Sequence, residues 1–451
     1  MKMIDPSILR NASLYIIKVI CFLIISPYIV IAQQQKNDST LSNATLENCI
    51  SYAMVHNPEL QNAHINENIT ESIIKGKLAD WYPQINFSYN LQHNFQLPTS
   101  NFNGNYTRAG TYNTSGLNLG VTQNIFSKDV LLASRSADDV RLSSSENTKS
   151  QRINLAVSVS KAFYNLLLNK QQLAVIEQDI IRINQSYKDA YYQYQAGIVD
   201  KTDYQRASIA LNNAIAQKKS SEAALVSNDA SLKALMGYPH LENLDLQYDT
   251  SKIENEIYLD TLQNVNYRNR IEIQQLETQK KLQQYNLQYY KWSYLPDISA
   301  FGSYNLNFLN DDFSKLYSNH FPNSYAGITL SLPIFQGGKR VQQIKEAEFQ
   351  VNLVDNHIRN QENIIQSEYQ DALATYKSNL YFFYSLKENL LLANSVYDVI
   401  RLQYRLGVKA YLDVITAESD LREAQINYYN ALYQLLSSKV DVEKSLGNIT
   451  Y

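Results

Sequence analysis

Two stretches of this chain contain neither glycine nor proline, residues 121–196 and 339–406. In the second, apolar residues recur at three- and four-residue steps: Val341, Ile344, Ala347, Val351, Val354 and Ile358, then Ile365, Tyr369, Ala372, Tyr376, Leu380 and Phe383. That spacing marks one face of an α-helix. At 1.5 Å per residue, a helix of roughly 68 residues is about 100 Å long. A rod of that length needs coiled-coil-like partners along it. The partner follows in each case. Gly197 and Gly407 end the runs, and new Gly/Pro-free stretches return over about 198–236 and 408–446. A long helix, a tight glycine turn and an antiparallel return make a helical hairpin.

The two hairpins belong to a duplication. Tyr194-Gln195-Ala196-Gly197-Ile198-Val199-Asp200-Lys201-Thr202-Asp203 is echoed about 210 residues later by Tyr404-Arg405-Leu406-Gly407-Val408-Lys409-Ala410-Tyr411-Leu412-Asp413. Each turn glycine is followed 40 positions on by another, Gly237 and Gly447. Trp81-Tyr82-Pro83 is matched by Tyr294-Leu295-Pro296, and Gln123-Asn124-Ile125-Phe126 by Leu332-Pro333-Ile334-Phe335. Duplication of this length means one structural unit used twice. The expected units are 33–265, including a polar linker from 238, and 266–451.

Between the opening helix of each unit and its hairpin the period changes to two. Ile85, Phe87, Tyr89 and Leu91 alternate with polar neighbours, as do Leu117, Leu119 and Val121. Ile298, Ala300, Gly302, Tyr304 and Leu306, then Ala326, Ile328, Leu330 and Leu332, repeat the pattern. Strands are expected at about 84–95, 115–126, 297–308 and 325–335, with helical hairpins at about 127–236 and 337–446. Each strand is about ten residues, the length a tilted strand needs to cross a bilayer. One apolar and one polar face suit lipid outside and water inside, although a half-buried soluble sheet alternates in the same way. The opening helix, from Thr45 to about Asp80, is expected to break at Asn57-Pro58.

Other features narrow the function. Lys2, Arg10 and Lys18, the apolar Val19–Val30 stretch and Val30-Ile31-Ala32 before Gln33 read as a secretory signal over residues 1–32. Cleavage would leave Cys49 alone, without a disulfide framework. A net charge of −3 gives no basic excess for nucleic acid. His56, His64, His93, His240, His320 and His357 are scattered without metal-ligand spacing. No phosphate-cradling loop or nucleophile elbow is present, so neither a cofactor nor an enzyme is expected.

Four strands cannot close a barrel, and an open edge cannot be left in lipid. Three protomers would pool twelve strands, enough for a water-filled barrel, and their helices would form a tube continuing from it. The rival reading is a secreted coiled-coil scaffold or tether, which accounts for the helices and the signal but not for the paired strands.

The hairpin ends around Gly197 and Gly407, together with Leu330-Ser331-Leu332-Pro333-Ile334-Phe335-Gln336-Gly337-Gly338, resemble the TolC family of outer-membrane efflux proteins over about residues 45–447. The resemblance implies an α+β fold and a trimeric channel-tunnel. Its shared 12-stranded barrel would sit in outer-membrane lipid and its helical tube would cross the periplasm. A homotrimer, a periplasmic adaptor and an inner-membrane pump are implied as partners, with the turns at Gly197 and Gly407 as the docking end. Transport would be passive, driven by the pump. The family's tip links, carried over, would set Tyr404 and Lys409 against Thr202 and Asp203. Lys409 would pair with Asp203, and Tyr404 would donate its hydroxyl to the same carboxylate. Lys stands where the family archetype has Arg, so the bidentate option is lost. Asp413 matches an acid that forms a three-fold ring in the pore and would favour cations. The archetype's second acid is Thr416 here. Asp203 and Asp413 can equally be helix-start residues.

Overall fold

The computed structural model describes residues 41, 43–102, 104–247 and 256–451. The expected signal over 1–32 lies outside the described residues. The first unit runs α1 (Leu46–His56), α2 (Pro58–Ala79), β1 (Gln84–His93), β2 (Thr99–Phe102), β3 (Asn105–Arg108), β4 (Asn113–Phe126), α3 (Lys128–Gln195) and α4 (Lys201–Met236). The second runs α5 (Ile271–Trp292), β5 (Asp297–Asn310), β6 (Phe321–Ser331), α6 (Lys339–Arg405) and α7 (Tyr411–Leu446).

The long helices α3 and α6 have 68 and 67 residues. Each return helix has 36, about half the rod. The remaining half is covered by the short helices. α2 packs on α3, and α5 on α6 and α3. The short and return helices meet end to end. α4 stops at Gly237 (φ +67°), where an added Cβ would lie 2.3 Å from the His56 carbonyl oxygen. Asn57 serves both helices at this joint: its Oδ1 accepts from the Leu60 amide at 2.9 Å, starting α2, and its Nδ2 donates to the Leu235 carbonyl at 2.8 Å, ending α4. In the second unit Arg270 occupies the same position. It is buried, and its guanidinium donates to the Ser445 carbonyl at 3.0 Å while pairing with Glu272 and Glu368 at 2.9 Å. Burial pushes the Glu272 carboxyl up, but its hydrogen bonds to Arg270 outweigh this and hold it below the ordinary range.

The main core lies around these joints. Cys49, Phe163, Leu166, Leu232, Met236, Tyr376, Phe383 and Leu435 are buried together. Burial pushes the Cys49 thiol up to about 12, as befits a small core residue. Tyr369 and Tyr376 donate their hydroxyls to the carbonyls of Gln263 and Ile257 at 2.6 and 2.7 Å, fastening the polar connector to α6. Along α6 the buried set contains Ala347 and Val354, then Tyr369, Tyr376 and Phe383, in seven-residue steps. That is a coiled-coil seam.

The four long strands form one antiparallel sheet in the order β1-β4-β5-β6, so the repeats join at β4–β5. Its register aligns Phe87, Leu119 and Tyr304 across three strands on one face. The other face aligns Ser88, Asn118, Asn305 and Asn323. There the Asn118 amide donates to Asn305, and the Asn305 amide to Asn323 at 2.7 Å.

The limits of all four long strands differ from expectation, β1 ending at His93, two residues early. β4 and β5 are longer, reaching 14 residues each, because their pairing continues through Asn113 and Asn310. β6 begins and ends four residues earlier than expected. Pro333, which has no amide to donate, lies beyond its end, and Gly337 and Gly338, both at positive φ, turn the chain into α6. The polar loop after β1 contains a small hairpin, β2–β3.

Candidate functional site

The two hairpin turns are built alike. Gly197 and Gly407 have φ of +73° and +74°. The residue after each glycine donates its amide five positions back, Ile198 to Gln193 and Val408 to Gln403, both at 2.9 Å. The glycines themselves donate to Tyr194 and Tyr404 at 2.9 Å. This bond pair is a Schellman ending, which needs a left-handed residue and therefore favours glycine. It leaves Ile198 and Val408 exposed at the end of the molecule.

Above the turns the hairpins share a small aromatic core. Ala190, Ala207 and Tyr411 are buried, with Tyr187, Tyr204, Tyr404 and Ile415 against them. The rings of Tyr404 and Tyr411 lie 5.7 Å apart. Burial pushes both hydroxyls above the usual tyrosine range.

The carried-over links take a different form within one protomer. Tyr404 donates its hydroxyl to Gln193 Oε1 at 3.0 Å, not to Asp203. Gln193 lies on α3 one turn before Gly197. Lys409 pairs with Asp413 at 3.9 Å, not with Asp203, because the two stand four residues apart at the start of one helix. Asp203 is the third residue of α4, and Thr202 is exposed before it. Asp413 is the matched third residue of α7, and its Oδ2 accepts from the Ala410 amide at 3.2 Å. The helix-start role of Asp413 therefore has its bond. Thr416 turns its hydroxyl to the Leu412 carbonyl of its own helix at 3.0 Å.

Sequence reading missed the charged groups farther up the tip. Asp179 of α3 is fully buried between Arg182 and Arg422, each at 3.0 Å. Glu418 of α7 is also buried, 3.6 Å from Arg182. Spacings of three and four residues, Asp179 to Arg182 and Glu418 to Arg422, were visible, but such pairs usually face solvent.

At the other end, the sheet exposes its apolar face. Ile85 is 68% exposed, Phe87 67%, Ile328 70% and Leu330 63%. Among the described residues the helices pack on one another rather than over this sheet. No described helix is long and apolar enough to cross a membrane.

Comparison with known proteins gives this geometry its context. The family model described as outer membrane efflux protein matches residues 49–238 and 265–448, one segment per repeat. The outer membrane protein TolC of Vibrio cholerae is 19% identical, with 91% of this chain and 93% of that protein aligned. The probable efflux pump outer membrane protein TtgC of Pseudomonas putida is 24% identical over 94% of this chain and 87% of its own. The solved structure of the Campylobacter jejuni CmeC outer membrane channel superposes with a TM-score of 0.69 at 17% identity, covering 89% of this chain and 85% of the other. The chain belongs to the outer membrane efflux protein family.

Proposed function

We propose that three copies of this chain assemble into one conduit that receives cargo from an inner-membrane pump through a periplasmic adaptor. The protein is an outer-membrane exit duct. The observation that carries the assembly is the sheet: among the described residues its apolar face is uncovered and both edges, β1 and β6, are unpaired. In lipid every backbone amide and carbonyl needs a partner, so the edges must pair with further copies. A periplasmic scaffold would gain nothing from such a sheet and would aggregate through it.

The helices supply matching lateral surfaces. On α2, Ile65, Ile69 and Ile73 are exposed at four-residue steps. On α6, Leu391, Leu392, Val396, Val399 and Leu402 are exposed along the tip half. Both stripes need a neighbouring helix. At the tip, Ile198 and Val408 beside Gly197 and Gly407 form the surface offered to the adaptor. Thr202, Asp203, Tyr404 and Lys409 surround the same turns and act as gate residues. Asp413, once per copy, forms the acidic ring of the pore, with its cap to Ala410 leaving part of the carboxylate free.

Outer-membrane fractionation with cross-linking and planar-bilayer recording tests the reading. The protein should pellet with outer membrane, run as a trimer and conduct. A soluble monomer, or a purified trimer without conductance, would overturn it.

A further inference from the structure

Near the tip, the two hairpins are joined by a charge cluster that the family's carried-over links do not include. The Asp179 carboxylate on α3 accepts from Arg182 on its own helix and from Arg422 on α7, both at 3.0 Å. Glu418, one turn before Arg422, is 4% exposed. Its Oε1 lies 3.6 Å from Arg182 Nε, and neither atom makes a hydrogen bond. From α6, Tyr397 is buried, with the guanidiniums of Arg182 and Arg401 at 5.9 and 6.0 Å from its ring. From α4, the exposed Arg206 lines a groove of about 320 Å³ together with Glu418 and Arg422. The charged and titratable groups around Glu418 are thus Asp179, Arg182, Arg206, Tyr397, Arg401, Tyr411 and Arg422, drawn from four helices.

A buried cluster of this kind adds little net stability, because removing charges from water offsets much of their attraction. Its effect is on which arrangement persists. Asp179 and Arg422 satisfy each other only while α3 and α7 are in contact. If the hairpins part, each group is hydrated on its own. The cluster is therefore a two-state element at the end of the tube that must open.

Glu418 biases the two states. Burial first, then the nearby Asp179 carboxylate, pushes its pKa up to about 7, against the pull of the arginines. In the parted arrangement its carboxyl returns toward the ordinary glutamate value of 4.5. Below about 4.5 both arrangements hold the proton and there is no bias. As the pH rises from there to about 7, the parted arrangement releases its proton first and gains relative to the packed one.

We propose that Asp179, Arg182, Glu418 and Arg422 form a proton-responsive latch between the two hairpins, fastened in acid and loosened as the pH rises toward neutrality. The latch rests on the exit-duct reading, since parting the hairpins matters only in a tube that opens.

Full-length protein purified from outer membrane, spin-labelled at Y192C and V408C, tests it. Distances between the hairpins are recorded at pH 5.5 and pH 8, alongside planar-bilayer conductance. The ratio of parted to packed should be at least tenfold greater at pH 8, since one pKa unit is a factor of ten in an equilibrium. Glu418→Gln should keep the acid distance distribution at both pH values. Asp179→Asn should shift toward the parted distribution at both, because two arginines then face each other without their shared carboxylate. A wild-type distance distribution equal at both pH values would overturn the latch, as would a pH shift unchanged in Glu418→Gln. A preparation that never conducts but shows the pH-dependent distance shift supports the latch and counts against the duct.

Discussion

Tyr404 bonds to an amide where the family pattern expects a carboxylate. Its hydroxyl donates to Gln193 rather than to Asp203, and Lys409, just before α7, pairs with Asp413 in that helix's first turn. Residue types and positions at the turns were legible, because the repeat aligns Thr202-Asp203 with Leu412-Asp413. Which partner each side chain takes was not, because Tyr404 meets Gln193 across the hairpins and Lys409 meets Asp413 four residues on. Asp179 and Glu418 were illegible for another reason. Their i,i+3 and i,i+4 arginines look like solvated pairs until the facing surfaces of α3 and α7 are known. One hydrogen bond is worth about 1 kcal/mol net, or roughly fivefold in an equilibrium. Tyr404→Phe and Gln193→Leu should each raise leak of a bulky solute several-fold through the purified channel in liposomes. Because both remove the same bond, the double variant should leak no more than either single one. Additive effects would show that the bond does not hold the tip. Asp413→Asn should lower cation preference in reversal-potential measurements while leaving α7 intact, since asparagine keeps an acceptor for the Ala410 amide.

The four glycines that end α3, α4, α6 and α7 share one element-level role. All have φ between +67° and +75°, and all close a Schellman ending. Their spacing was visible in the repeat. What the repeat could not show is that Gly197 and Gly407 face open space, whereas Gly237 and Gly447 sit against another helix. The break at Asn57-Pro58 was likewise legible as a break, but not as the joint where α4 meets α2. That joint depends on a contact across 178 positions, between Asn57 and Leu235. The same substitution should therefore have different consequences at equivalent turns. Gly197→Ala carries only the left-handed backbone cost, about 1 kcal/mol. Gly237→Ala adds a Cβ 2.3 Å from a backbone oxygen, so the end-on stack must separate. In thermal melts of the assembled protein Gly197→Ala should shift Tm slightly, while Gly237→Ala should lower it sharply or prevent assembly. Asn57→Ala, which removes a cap from two helices, should cost roughly 1–2 kcal/mol and fall between them. Equal shifts at Gly197 and Gly237 would mean that the joint is not where the stack is held.

At the scale of the whole molecule, the alternation in the strands carried the reading of the sheet, because a period of two survives without knowledge of the partner. Its meaning came from the structure, in which the apolar face is uncovered while the helices bury their own seams. The loop hairpin β2–β3 and the length of β4 and β5 were not legible, since Asn-, Thr- and Gly-rich segments pair or loop according to what lies beside them. If the two faces of the sheet meet lipid and water, one kind of substitution should separate them. Ile328 and Thr329 are adjacent in β6 and point to opposite faces. Arginine at a lipid-facing position near mid-depth costs roughly 2–4 kcal/mol in a transmembrane barrel, while a lumen-facing arginine is solvated. Ile328→Arg should therefore reduce the heat-resistant assembly recovered from outer membrane. Thr329→Arg should assemble normally and shift reversal potentials toward anions, because it adds a positive charge per copy to the conducting path. The opposite pattern, with Thr329→Arg blocking assembly and Ile328→Arg altering selectivity, would place the apolar face inside and overturn the barrel. Equal tolerance of both would mean that the sheet does not meet lipid.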